Sequence, residues 1–478
     1  MHRLKELVAP LIYLSSNAIS LVGVVLVTTA TVLWLVLLPT FISGEAGNAY
    51  VGILEFMMLP GMFFAGLALI PIGIHFYRKS HQNTLPPVFP ELDLQNARFR
   101  RLLLFVAVTT MFNVVIGAQL SYRAVTYMES ATFCGQTCHT VMKPEYTAYQ
   151  NSAHARVACV NCHIGPGANW FVKSKLSGSW QVISVAFHLY PRPIPTPVKA
   201  LRPARETCEV CHWPQRFAGN RVHVIDKFTD DEQTKHLKTV LLLKIGGGGG
   251  YQGIHGAHMG PGVEVTYGHS DEKRQTIPWV QYARGGDKTI FKADGFKDAD
   301  FAKLQMRTMD CIDCHTRPSH SYKLPERAVD ESLAKGQMDA SLPFVRKTAL
   351  EIIKVDYQTT ADSEREIPKR FVAFYQQSYP SVWQTKQAAV ERTAKAVMAA
   401  YAGNVFPEMR VKWGSYANNI GHTDYTGCFR CHDERAGNKG GKTIPMDCDT
   451  CHKKLAEDEE SPKILTELGM TPGLGGVN

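Results

Sequence analysis

Five times in 478 residues the chain reads C-x-x-C-H: Cys159/Cys162/His163, Cys208/Cys211/His212, Cys311/Cys314/His315, Cys428/Cys431/His432 and Cys448/Cys451/His452. A sixth site has one more residue between its thiols: Cys134, Cys138 and His139. The twelve cysteines of the chain are all used in this way. About 0.01 C-x-x-C-H strings are expected by chance at this composition, so the repeat is not accidental.

The spacing points to one chemistry. Two thiols separated by one helical turn can form thioethers to the vinyl groups of a haem, and the next residue, histidine, swings beneath the ring to bind iron. A single C-x-x-C also reads as a zinc ligand pair or a redox disulfide. Neither needs a histidine directly after every second cysteine, so covalent haem c is the expectation at all six sites.

Six haems need up to twelve axial ligands, and the motif histidines supply six. Nine further histidines lie beyond the membrane part: His154, His188, His223, His236, His255, His258, His269, His320 and His422. A lone histidine is as often a surface or core residue as a ligand. His154, His320 and His422 sit within ten residues of a motif and are the better candidates. His255 and His258 flank a glycine-rich turn; one of them, taken as His258, is expected to ligate.

The cysteines all follow a strongly apolar first quarter. Residues 1–123 hold 8 of 52 Lys+Arg and 5 of 43 Asp+Glu, so the mean hydropathy of -0.14 conceals two very different parts. Three uncharged stretches, Leu21–Phe41, Phe56–Tyr77 and Leu102–Tyr122, are long enough to cross a bilayer core. The first is too long for a signal-peptide core and has no small-residue cleavage site, so it reads as an uncleaved anchor. Arg3 and Lys5 precede it, and the segment Arg78–Arg101 holds five basic and two acidic residues. The positive-inside rule then places the amino end and that segment in the cytoplasm. Three spans put every cysteine on the opposite side, where c-type haem is attached. The remaining 44 basic and 38 acidic residues give 124–478 a net charge of +6, which six haems with their propionates bring to about zero or below. No basic stripe or nucleic-acid motif is present.

The expected fold class is mainly α: three transmembrane helices in 1–123, then a multihaem domain with little regular structure. Residues 124–218 carry three sites, and 306–460 carry three more with a helical spacer. A β-rich insert occupies 219–305, and 461–478 form a loose tail. Five prolines in PRPIPTPVKALRP favour an extended spacer. The stretch ANWFVKSKLSGSWQVISVAF can lie flat on a bilayer, aromatics down and lysines snorkelling, or serve as an ordinary amphipathic core helix. The alternation in TVLLLKI, VEVTYG and TIPWVQYARGGDKTIFK predicts strands. The five-glycine run lacks the strand–GxGxxG–helix context of a nucleotide site. Residues 324–403 predict helices with breaks near Pro343 and Pro380.

With these pieces in place, the chain resembles the NapC/NirT family of membrane-anchored multihaem quinol dehydrogenases. The likeness is densest over CGQTCHTVMKPEYTAYQNSAHARVACVNCHIGPG and specific over 131–220. LRPARETCEVCHWP, CIDCHTRPSH and NNIGHTDYTGCFRCHD look like the larger inner-membrane members linked to extracellular electron transfer. The resemblance implies menaquinol oxidation at the outer face of a bacterial inner membrane, with electrons leaving through the haems to a periplasmic cytochrome or reductase. It also implies that Met142 matches a first-haem ligand and Lys175 a lysine at the quinol pocket. Three departures stand out. The family's usual anchor is one helix, the first site has an extra residue, and no Asp or Glu occurs between Glu145 and Glu206. Gln181 is the nearest polar stand-in for the family's acidic residue.

Three functions compete on these residues: a quinol dehydrogenase, a relay subunit with no quinone site of its own, and a terminal reductase with an open haem iron. A reductase favours a distinctive site such as C-x-x-C-K, and none occurs. The first reading is expected, with Lys175 and Gln181 at the quinol.

Overall fold

The computed structural model describes residues 17–42, 58–80, 95, 97–137, 139–165, 168–198, 202–217, 219–247 and 252–470. It divides into two compact units, Met1–Ser130 and Ala131–Asn478.

In the first unit each apolar stretch is a helix: α1 (Ala18–Ile42), α2 (Leu59–Ser80) and α3 (Ala97–Met128). Small residues let α1 and α2 approach closely. A Cβ at Gly23 would stand 2.6 Å from the Gly66 carbonyl oxygen, and one at Gly66 2.7 Å from that of Gly23. Ser20 Oγ donates to the Ile70 carbonyl across the same seam (2.9 Å). In an apolar solvent, close backbone packing and interhelical hydrogen bonds replace the hydrophobic effect as the glue. Trp34, Leu59 and Leu120 form the shared core, while Val25, Val32, Phe64, Phe76, Leu104 and Met111 point outward. Among the described residues one helix, Leu59–Tyr77, is long and apolar enough to cross a membrane by length and composition. Residues 81–94, most of the expected cytoplasmic loop, lie outside the described residues.

The second unit carries the cysteines. After α4 (His139–Gln150) and α5 (Ala168–Ala186), the chain enters the β-rich part. β1 (Arg221–Phe228) and β2 (His236–Leu243) form an antiparallel hairpin. α6 (Gly253–Met259) follows, then β3 (Val263–His269), β4 (Trp279–Arg284), β5 (Asp287–Lys292) and β6 (Gln305–Thr308) in a sheet ordered β5-β4-β3-β6. The predicted strands are present. Helices α7 (Pro325–Ala334), α8 (Val345–Ile353), α9 (Thr360–Ser378) and α10 (Pro380–Ala402) make the expected spacer, with Pro343 between helices and Pro380 at a helix start. Pro368 lies inside α9 without ending it. Their core is built on Phe371, Tyr375, Ile367, Ile353 and Val345, all fully buried. A buried ion pair joins this bundle to β1. Asp330 accepts from Arg346 Nε (2.6 Å) and from the Phe228 backbone N–H (3.3 Å).

Three strands lie outside the stretches named for alternation: β1, β6 and a seventh far along the chain. β7 (His452–Glu459) leaves the last motif and pairs antiparallel with β2, closing a sheet β1-β2-β7. Of the expected tail, Lys463–Glu467 forms a helical turn and Leu465 packs on Val240 and Ala456. Residues 471–478 lie outside the described residues.

Candidate haem centres

Each regular motif folds as one turn. In three of them the backbone N–H of the motif histidine closes the turn on the carbonyl of the first cysteine: His212 on Cys208 (2.8 Å), His315 on Cys311 (2.8 Å) and His432 on Cys428 (3.1 Å). This brings both thiols to one side with the histidine just past them. At the fourth site Asp310 and Asp313 complete a capping box around Cys311–Cys314. All described cysteines are free thiols, so none is spent on a disulfide. Among the described residues no three His, Cys, Asp or Glu side chains converge as a zinc site requires.

The histidines decide what the motifs hold. Five motif histidines each face a second histidine: His163 with His320 at 6.2 Å between ring centres, His212 with His154 at 6.0 Å, His315 with His255 at 6.4 Å, His432 with His258 at 5.8 Å, and His452 with His422 at 6.1 Å. A metal–imidazole bond is about 2 Å, so two imidazoles on opposite sides of one ion stand roughly 6 Å apart by centre. The spacing is too wide for direct stacking or hydrogen bonding and fits an iron between each pair. Burial lowers the pKa of His163, His255, His258, His315 and His320, which favours the neutral imidazole that can ligate. The Nδ1–H of His258 is positioned to donate to the Ile254 carbonyl (2.7 Å) and that of His432 to Pro445 (2.6 Å), leaving Nε2 for a metal.

His154, His258, His320 and His422 are therefore brought to motif histidines as expected. His255 is the residue that sequence reasoning passed over. It stands three positions from His258 on α6, so both face one side of that helix, yet each serves a different motif. Among the described residues, His188, His223, His236 and His269 pair with no motif histidine; His236 instead meets Asp226 (2.6 Å) and stacks on Phe228.

The motifs also run in spatial order. Cys134 and Cys159 are within hydrogen-bonding reach, as are Cys208 and Cys311. Cys162 lies in electrostatic range of Cys211, Cys314 of Cys428, and Cys428 of Cys451. Each motif thus neighbours the next in the chain. Side chains inside the motifs hold this string to the sheet: buried Asp313 accepts from Tyr267 Oη (2.6 Å), Arg307 Nε (2.8 Å) and Arg274 (3.1 Å), while Arg430 donates to the Asp313 carbonyl (2.7 Å).

The first site is less defined. Cys138 and the His139 side chain lie outside the described residues. Met142 sits one turn beyond His139 on α4 and is half-buried. A cavity of about 400 Å³ opens beside this motif, lined by Gly135, Gln136, Lys143, Tyr146, Phe406 and Glu408 among others. Lys175 and Gln181 both lie on α5. Gln181 is exposed and reaches Ser177 Oγ (3.3 Å); the Lys175 side chain lies outside the described residues.

The model of the NapC/NirT cytochrome c family, N-terminal region, matches residues 96–192. The cytochrome c-type protein ImcH of Geobacter sulfurreducens is 39% identical over 451 residues, covering 93% of this chain and 89% of that protein. The chain belongs to the NapC/NirT cytochrome c family. The cytochrome c-type protein NrfH of Wolinella succinogenes is 33% identical over 119 residues, 24% of this chain and 64% of NrfH. No solved structure matches. As a NapC/NirT cytochrome, the protein is a membrane-anchored electron-transport protein that carries covalent haem c.

Proposed function

We propose that this NapC/NirT cytochrome is a six-haem menaquinol dehydrogenase of a bacterial inner membrane. It takes electrons from menaquinol at the periplasmic face and delivers them to a periplasmic redox partner in anaerobic respiration. The observation that carries the reading is the set of five histidine pairs, strung in chain order by their cysteines. Covalently bound haem supplies one-electron transfer at each position. The six cysteine pairs would hold it, and His163/His320, His212/His154, His315/His255, His432/His258 and His452/His422 would supply imidazole nitrogens to the iron. His139 and Met142 serve the first site.

Three helices anchor the chain, with the amino end and residues 78–101 in the cytoplasm and everything after Tyr122 in the periplasm. α5 is the segment suited to the quinol. Leu176, Trp180 and Ile183 are exposed along it, at 69%, 61% and 46%, and Phe187 just past its end, at 71%, spaced as one apolar stripe. Such a helix beds its stripe in the acyl boundary and leaves polar groups at headgroup level. Quinol oxidation releases two electrons, taken singly, and two protons. Lys175 and Gln181 hold the quinol hydroxyls and orient them, and polar groups at that edge pass the protons to water.

Anaerobic mixing of the purified protein with a menaquinol analogue, following haem absorbance, tests this. Reduction within the mixing experiment is expected, and Lys175→Met should slow it at least tenfold while dithionite still reduces every haem. If quinol reduces neither protein and dithionite reduces both, the chain is a relay fed by another subunit.

A further inference from the structure

The five histidine pairs share their ligands but not their surroundings. His258 and His432 are positioned to donate Nδ1–H to backbone carbonyls, and His154 approaches the Pro318 carbonyl at 3.4 Å. His255 Nδ1 and His452 Nδ1 are buried and have no partner among the described residues. His320 differs. Its Nδ1 lies 3.0 Å from the Glu145 carbonyl oxygen and 3.3 Å from the Glu145 carboxylate. That carboxylate is 13% exposed, and both its oxygens accept from one Arg317 nitrogen, Nη2 (2.7 and 2.8 Å). Arg317 is held in turn: its Nε donates to the His320 carbonyl (2.8 Å) and its guanidinium lies 4.0 Å over the Tyr416 ring.

We propose that Glu145 and Arg317 set the redox potential of the second haem, Glu145 lowering it and Arg317 moderating that effect. The proposal rests on the assignment of His163 and His320 to one iron. A carboxylate behind an axial histidine makes the imidazole a stronger donor and favours the more positive, oxidised iron. In a low-dielectric interior a charge at this distance is only partly cancelled by its ion-pair partner. The segment that supplies Arg317 and His320 also gives the fourth site His315 and faces His154 of the third with the Pro318 carbonyl. The pair therefore sits where three consecutive sites meet.

Reductive titration of the full-length protein, resolved into its haem components, tests the proposal. Glu145→Gln keeps the shape, removes the charge and leaves Arg317 uncompensated. One component should shift upward by at least a tenfold change in its reduced-to-oxidised ratio, about 59 mV for one electron, while the others stay. Arg317→Gln should move the same component downward. Glu145→Asp, which keeps the charge, should move it less than threefold. Unchanged titrations in Glu145→Gln, or equal shifts of one sign in all three variants, overturn the proposal. A His320→Met control addresses the assignment alone. If it leaves the low-spin spectrum of all haems unchanged, the ligand pairing fails rather than the role of Glu145.

Discussion

His255 and His258 show what a sequence can and cannot tell about a ligand. Nearness to a motif marked His154, His320 and His422, and all three meet motif histidines. Nearness does not tell which motif. His320 follows His315 by five residues, roughly 17 Å at full extension, a taut path around the edge of a macrocycle to its opposite face. It meets His163 instead, as His154 meets His212 and His422 meets His452. The opposite face of each haem is reached from a different part of the chain, and that is a property of the tertiary fold. His255→Met and His258→Met should each alter one low-spin haem signal, and not the same one. Loss of the same signal in both would break the pairing on α6. Tyr267 offers a stability test at this scale. Its hydroxyl bonds a buried carboxylate already shared with Arg274 and Arg307, so Tyr267→Phe should cost about 1.5–3 kcal/mol, read as a lower thermal midpoint with all haems retained.

At the scale of elements, local pattern succeeded where burial follows the period of the chain. The spacer helices carry apolar residues at helical spacing and have one continuous core, and β3 and β4 alternate against theirs. β7 was hidden because its sequence, HKKLAEDE, is charged and offers only Leu455 and Ala456 to a core. It is a strand through its backbone ladder to β2, which tertiary context supplies and propensity does not. α5 presents the reverse case: its apolar stripe was legible, and the structure leaves that stripe uncovered by protein. With the protein in nanodiscs, brominated lipid should quench a Trp180 contribution, measured as the difference from Trp180→Phe. Absence of that difference would return α5 to the soluble surface. The proposed quinol site on it comes from the resemblance alone, since Lys175 and Gln181 carry no spacing signature of their own.

For the whole molecule, the twelve cysteines and the distribution of charge make linked claims about composition and sidedness. Mass after extraction of loose haem should exceed the polypeptide by six haem masses, and Cys134→Ala with Cys138→Ala should reduce this to five. Covalent attachment takes place outside the cytoplasm, so every motif must lie beyond the last span. Three spans satisfy this only if residues 78–101 stay inside, which their five basic residues favour. A single span at Leu59–Tyr77 would instead leave Arg98, Arg100 and Arg101 on the same side as the haems, against the charge rule. The two arrangements are separated by one labelling experiment in spheroplasts with a membrane-impermeant maleimide. Asn438→Cys, between the last two motifs, should react from outside, and Ser80→Cys, at the end of α2, should react only after lysis. Ser80→Cys and Arg98→Cys, at the start of α3, together decide between the arrangements: protection of both before lysis supports three spans, and labelling of both from outside leaves α2 as the only crossing.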